Sequence, residues 1–171
     1  MITMKKLFRL VVLAPVMLVG NFLLAAEPEY VTIDMQIDIN KSARAVWAAV
    51  GDYCDIEEWG GLACTITAGD GGMGTVRELK AGPRTITEIM IAQTELAYGY
   101  TQPVQAGQYY ILYHGFMEAR PVTANTSKML YTLVYDVSNL ETEEAKQADM
   151  ARRRTQFEGL LKNIKQIAEA Q

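Results

Sequence analysis

Arg77 and Glu88 flank the connection Ala81-Gly82-Pro83-Arg84. If those four residues close a hairpin, position 80 faces 85, 79 faces 86, and Arg77 lies directly opposite Glu88 on one face of the strand pair. Their same-face neighbours are Thr75 and Leu79 on one strand and Ile86 and Met90 on the other. A charge pair on so apolar a surface must make its own hydrogen bonds. Arg77 then offers a rigid fork of donors for a ligand oxygen or carboxylate. Glu88 offers proton transfer, helped where burial favours its neutral form. The plainer alternative is a cross-strand ion pair that faces water or neutralises the wall of a hollow.

Tyrosines form the second cluster. Tyr98 and Tyr100 share one strand face. Tyr109 and Tyr113 share a face of the next strand, with Tyr110 and His114 on the other side. A buried tyrosine presents an apolar body and a polar tip, which suits it to orienting an oxygenated ligand, although tyrosine is also ordinary sheet surface. His114 is the sole histidine and reads as structural or solvent-facing rather than as a general base. Trp47 and Trp59 read as packing residues. Met35, Met90, Met117 and Met150 suit either a soft cavity wall or the core. One His and two Cys cannot build a Cys/His zinc cluster. Gly69-Asp70-Gly71-Gly72 is a lid or a turn; it lacks the Lys-Ser/Thr ending of a phosphate loop.

These residues need a frame. Val31, Ile33, Met35, Ile37 and Ile39 alternate with Thr32, Asp34, Gln36 and Asp38, the period of a strand with one buried face, over 30–39. Ser42 can cap a short helix carrying Val46, Trp47 and Val50, and Asp55 to Trp59 adds a further turn. Strands follow near 62–68, 74–80, 85–92, 95–102, 108–120 and 127–137. Ser138-Asn139-Leu140-Glu141 is a capping-box pattern. Met150, Phe157, Leu160, Leu161, Ile164 and Ile167 then recur at helical spacing, which predicts one long helix over 140–169 with Arg152, Arg153, Lys162 and Lys165 on its other side. Strands bracketed by helices mean an α+β fold with a mostly antiparallel sheet. One helix is about 10–12 Å across and cannot cover a wide, curved sheet, so a hollow is expected. Its entrance is expected near the first half of the helix, with Met150, Arg154 and Phe157 on the wall.

The chain has 171 residues, 50% of them hydrophobic, and a formal charge of −4. That is one ordinary globular domain, with no basic patch to bind nucleic acid. Lys5, Lys6 and Arg9 precede the apolar run Leu10 to Ala26, the pattern of a secretory signal peptide over 1–26 with cleavage after Ala26. The alternative, a permanent anchor, would use a run at the short limit for a spanning helix. The remaining 145 residues, 27–171, carry a charge of −7 and no second long apolar run. The expected product is periplasmic or secreted and holds no stable place in the membrane. An oxidising compartment makes Cys54 and Cys64 a candidate structural disulfide, with two free or buried thiols as the alternative.

The segment Ser42-Ala43-Arg44-Ala45-Val46-Trp47-Ala48-Ala49-Val50-Gly51-Asp52-Tyr53 resembles the first-helix segment of the START-like, helix-grip superfamily, in its polyketide cyclase/dehydrase and lipid-transport branch (SRPBCC proteins). Cys54, Ile56, Trp59, Cys64, Gly74-Thr75-Val76-Arg77-Glu78-Leu79, Thr87-Glu88-Ile89 and the long helix continue the likeness across nearly all of 30–169. The resemblance implies a bent antiparallel sheet of about seven strands gripping the C-terminal helix around an apolar cavity. It implies ligands such as lipids, sterols, hormones or polyketides. Arg77 and Glu88 are similar in position to an Arg and a Glu proposed as catalytic in a plant lachrymatory-factor synthase. The segment Gln105-Ala106-Gly107-Gln108 departs from the family pattern by lengthening the connection before the Tyr-rich strand.

Three functions compete. The first is an exported protein binding a small hydrophobic or amphipathic ligand, with Arg77, Glu88, Met90, Tyr98, Tyr100, Tyr109, Tyr113, Met150 and Phe157 around it. The second is a cyclase or dehydratase that uses Arg77 and Glu88 as polarising and acid/base residues, without metal or organic cofactor. The third is an interaction module whose cavity its own side chains fill. Cavity volume separates the third from the others.

Overall fold

A computed structural model describes residues 27–104 and 112–171. The segment read as an export signal, 1–26, and Tyr109 and Tyr110 lie outside the described residues. The elements run β1 (Tyr30–Ile39), α1 (Ala43–Val50), α2 (Ile56–Gly60), β2 (Ala63–Ala68), β3 (Val76–Ala81), β4 (Arg84–Thr94), β5 (Ala97–Thr101), β6 (Tyr113–Pro121), β7 (Ser127–Asp136) and α3 (Glu143–Ala170). Among the described residues the strands form one antiparallel sheet in the order β1-β7-β6-β5-β4-β3-β2.

Each element follows from local chemistry. On β1, Ile33, Met35 and Ile39 are buried while Thr32, Asp34 and Asp38 are not, apart from half-burial at Val31 and Ile37. Ser42 caps α1 by accepting from the Ala45 N–H at 3.3 Å. The β3–β4 turn is tighter than the four-residue loop expected. Ala81 already pairs with Arg84, leaving Gly82-Pro83 as the turn. Gly82 takes φ 60°, open to glycine, and the proline ring sets φ at the second position. Both loop lengths give the same register. Irregularities at Ile66/Ala68 and Met90/Ala92 interrupt the ladders and bend the sheet.

The start of α3 corrects one expectation. Ser138-Asn139-Leu140-Glu141 is not the cap. Ser138 instead donates its hydroxyl to Asp136 at 2.9 Å, and Thr142 caps the helix by accepting from Ala145 N–H at 3.1 Å. A turn joining Leu140 N–H to Val137 C=O uses the residues between. Gly69 to Gly72 forms a bend: the Thr75 hydroxyl accepts from Gly71 N–H at 2.9 Å, and Gly74 N–H reaches the Met90 carbonyl at 2.8 Å.

Cys54 and Cys64 form a disulfide across 10 residues of sequence, tying the α1–α2 connection to β2. Helix α3 buries Phe157, Leu161, Ile164 and Ala168 and packs on β1, β7, α1 and α2. It does not reach across the inner faces of β3, β4 and β5, and that mismatch is what leaves space inside.

Candidate functional site

The β3–β4 hairpin sets Arg77 opposite Glu88, as the turn length requires. Both point inward: Arg77 is 0% and Glu88 3% exposed. Arg77 Nε and Nη2 donate to Glu88 Oε2 at 2.9 and 2.6 Å, and Nη1 donates to the backbone carbonyl of Tyr53. The guanidinium carbon lies 4.0 Å from the Tyr53 ring centroid, 5.7 Å from that of Tyr98 and 5.5 Å from that of Tyr100, a geometry for cation–π attraction. Burial opposes the charge, but Tyr98, Glu88 and Tyr53 outweigh it, and the guanidinium is held more firmly protonated than usual. Glu88 Oε1 accepts from Gln102 Nε2 at 2.9 Å.

This arrangement commits the Arg77 fork to partners within the protein. A buried cation must be paired, and the α1–α2 connection delivers a carbonyl to it. Arg77 therefore lies behind the wall of two cavities and lines neither. Its neighbours do line them: Glu88 and Tyr100 the larger, Tyr53 and Tyr98 the smaller.

The larger cavity holds about 680 Å³. Leu79, Ile86, Phe157 and Leu160 supply apolar wall, and Glu88, Tyr100, Gln102 and Tyr131 a polar floor. The exposed members of the lining, Arg84, Asn139, Arg152 and Gln156, mark the rim. Tyr113 and Phe157 line it as expected; Tyr131 and Tyr135 join them. Met90 and Tyr98 line the smaller cavity of about 380 Å³ instead, beside Trp47, Tyr53 and Cys54. Met150 packs against the core and lines neither. Arg154 points away, donating to the Asp34 carbonyl of β1 at 2.9 Å. Met35, Met117 and Trp59 are core. His114 sits on the other sheet face, in neither lining, and burial pushes its imidazole toward the neutral form.

The floor is set by a glycine. The hydroxyls of Tyr100 and Tyr131 lie 2.9 Å apart. The Tyr100 ring crosses over Gly115, its cross-strand partner, where a Cβ would fall 2.4 Å from Cζ and Oη. Gly115→Ala should expel the ring, break the hydroxyl pair and destabilise by about 1–3 kcal/mol. Tyr131→Phe removes the bond without moving the ring and should cost about 1 kcal/mol. Urea unfolding of the two variants checks the order; equal losses would refute the steric argument.

Sequence reasoning missed the other polar group. By its residue type Arg153 belongs on the outer side of the helix. Its position says otherwise, since 153, 157 and 160 share one helical face. The Arg153 side chain is 17% exposed, and Nε donates to Asp149 Oδ2 at 2.7 Å. Its guanidinium carbon lies 4.3 Å from the Tyr135 ring centroid and 5.3 Å from that of Tyr113. Arg152 donates to Asp149 Oδ1 from the rim.

Burial pushes the Asp149 carboxyl up, but the Arg153 and Arg152 guanidiniums outweigh it and hold it below the usual range. A depressed folded-state value contributes stability above the unfolded pKa, about 4, and that contribution is lost as pH falls through the folded value. Asp149→Asn should therefore weaken the protein at pH 7 and flatten its stability loss as pH falls below about 4. Urea unfolding above and below that pH tests this; parallel pH profiles would refute it.

The sequence matches the family described as polyketide cyclase / dehydrase and lipid transport over residues 30–169. None of the curated proteins matches the chain. Solved structures share the fold at low identity. A protein from Thermobifida fusca is 18% identical with a TM-score of 0.65, covering 80% of this chain and 94% of its own. Zhui aromatase/cyclase from Streptomyces sp. R1128 is 16% identical with a TM-score of 0.63, covering 82% and 94%. Ara h 8.0201 is 17% identical with a TM-score of 0.61, covering 84% and 100%.

Proposed function

This chain belongs to the polyketide cyclase / dehydrase and lipid transport family, and on that premise we propose that it binds one small hydrophobic or amphipathic molecule in the larger cavity. The observation that carries the reading is the hollow itself: about 680 Å³, within the range that holds a drug-sized ligand. Apolar side chains and tyrosine rings can hold the body of the guest, and the charged and amide side chains of the lining can orient it. Export belongs to the same proposal. The Cys54–Cys64 disulfide supports an oxidising compartment.

Native mass spectrometry of the protein purified from its exported fraction tests both parts. The expected species begins at Glu27 and carries a lipid- or polyketide-sized adduct. Nile red should bind in the cavity, and Leu160→Trp, which fills it, should abolish that binding. A folded protein that carries nothing and leaves Nile red dark would refute the reading.

Chemistry at Glu88 is the second reading. What favours it is the position of this carboxylate on the cavity floor, beside the Tyr100–Tyr131 pair, and the likeness to Zhui aromatase/cyclase. It predicts that a bound polyketide-like adduct changes mass by loss of water on incubation, and that Glu88→Gln stops the change while the adduct still binds.

A further inference from the structure

We propose that the guest in the larger cavity is an organic acid whose carboxylate sits on Arg153 near the rim and whose hydroxyl or carbonyl oxygen meets the Tyr100–Tyr131 pair on the floor. The inference rests on the cavity being the binding site.

Among the described residues, Arg153 is the one cation of the lining that is not exposed. Its Nε is taken by Asp149, but Nη1 and Nη2 have no acceptor among the described residues. The Tyr113 and Tyr135 rings and the Asp149 bond hold the guanidinium in place. The fork is thus oriented before a ligand arrives, which lowers the entropy lost on binding. The acidic groups nearby are already occupied. Asp149 accepts from Arg152 and Arg153 through its two oxygens. Asp136 Oδ1 accepts from the Glu29 and Ser138 N–H groups at 3.1 and 2.9 Å, and Oδ2 from the Ser138 hydroxyl at 2.9 Å. Glu88, deeper, is paired with Arg77. With Arg84 and Arg152 also on the rim, cations exceed anions there. A carboxylate fits a guanidinium edge by two parallel hydrogen bonds.

The floor selects the other end. Two hydroxyls carry two protons, and their mutual bond uses one. The second finds no acceptor among the described residues, although Tyr100 and Tyr131 are only 2% and 1% exposed. A ligand oxygen would accept it. Between floor and rim, Leu79, Ile86, Phe157 and Leu160 face an apolar chain or ring system. The guest so defined is a hydroxy- or keto-acid of lipid or polyketide size, held acid outward.

Competition against Nile red tests this with three defined probes: 12-hydroxydodecanoate, its methyl ester and dodecanoate. On the unmodified protein the hydroxy acid should displace the dye at a concentration about tenfold or more below the ester, the worth of a charge-assisted pair. Arg153→Met should erase that margin by weakening the acid alone. Arg153→Lys keeps the charge and should retain part of the margin if Arg153→Met proves unstable. The hydroxy acid should outcompete dodecanoate, and Tyr100→Phe/Tyr131→Phe, which takes both hydroxyls away, should remove that lead. Equal competition by acid and ester overturns the Arg153 assignment, as does equal loss of both in Arg153→Met. Equal competition by hydroxy acid and dodecanoate overturns the floor assignment. In each of these cases Nile red still binds and the cavity reading stands; a dye that never binds removes both.

Discussion

Replacing Glu88 by leucine should destabilise the protein by about 3–5 kcal/mol, the range seen when one partner of a buried ion pair is removed. The replacement leaves the Arg77 guanidinium at 0% exposure with only the Tyr53 carbonyl and three tyrosine faces for company. A guanidinium cannot shed its proton to escape. The reverse variant, Arg77→Met, should lose less. The carboxylate of Glu88 keeps Gln102 as a donor and borders a cavity. The pair Arg77→Met/Glu88→Leu should recover most of the loss, since a well-packed apolar substitute often matches a buried ion pair. Urea unfolding with unchanged m-values measures all three. In a heat scan the Glu88→Leu loss should appear as a fall in Tm on the order of 10 °C. A single variant within about 1 kcal/mol of the parent would mean that water reaches the pair, against the burial described.

Opening the Cys54–Cys64 bridge should have the next largest effect. Loop-closure entropy for a 10-residue separation predicts roughly 2–3 kcal/mol. The Cys54→Ser/Cys64→Ser protein and the parent in excess reductant should lose the same amount. The bridge also bears on the site, because Cys54 follows Tyr53, whose carbonyl accepts from Arg77. Losses from the serine pair and from Glu88→Leu should therefore fail to add, since they act on one network. Strict additivity would show that the α1–α2 connection holds Tyr53 in place without the bridge.

These two effects define what the interior is made of. The ion pair, the tyrosine rings and the Tyr53 carbonyl form a closed polar cluster between two hollows. Within it the Arg77 guanidinium and the Glu88 carboxylate are paired with each other and with Tyr53 and Gln102. The polar groups that face the larger cavity are those on its side of the cluster, Glu88, Tyr100 and Tyr131, together with Arg153.

What the chain alone made legible is whatever depends on short separations. A tight turn at Gly82-Pro83 puts Arg77 opposite Glu88 by counting, because register in a hairpin is set by its turn. The alternation in β1 names its buried face, and the 3,4-spacing in α3 names Phe157, Leu161 and Ile164. Arg153 was legible by the same count but was hidden by its charge, which reads as solvent-facing until two tyrosines from distant strands are seen beneath it. Other features needed the tertiary structure. The acceptor that engages Arg77 Nη1 is a backbone carbonyl 24 residues distant, and a backbone atom leaves no mark in residue type. The division of one apolar face into two cavities, with Met90 and Tyr98 on the far side of Arg77 from Tyr100 and Glu88, depends on where α3 and the α1–α2 connection come to rest. Packing of elements far apart in the chain decides that, and periodicity within each element carries no information about it.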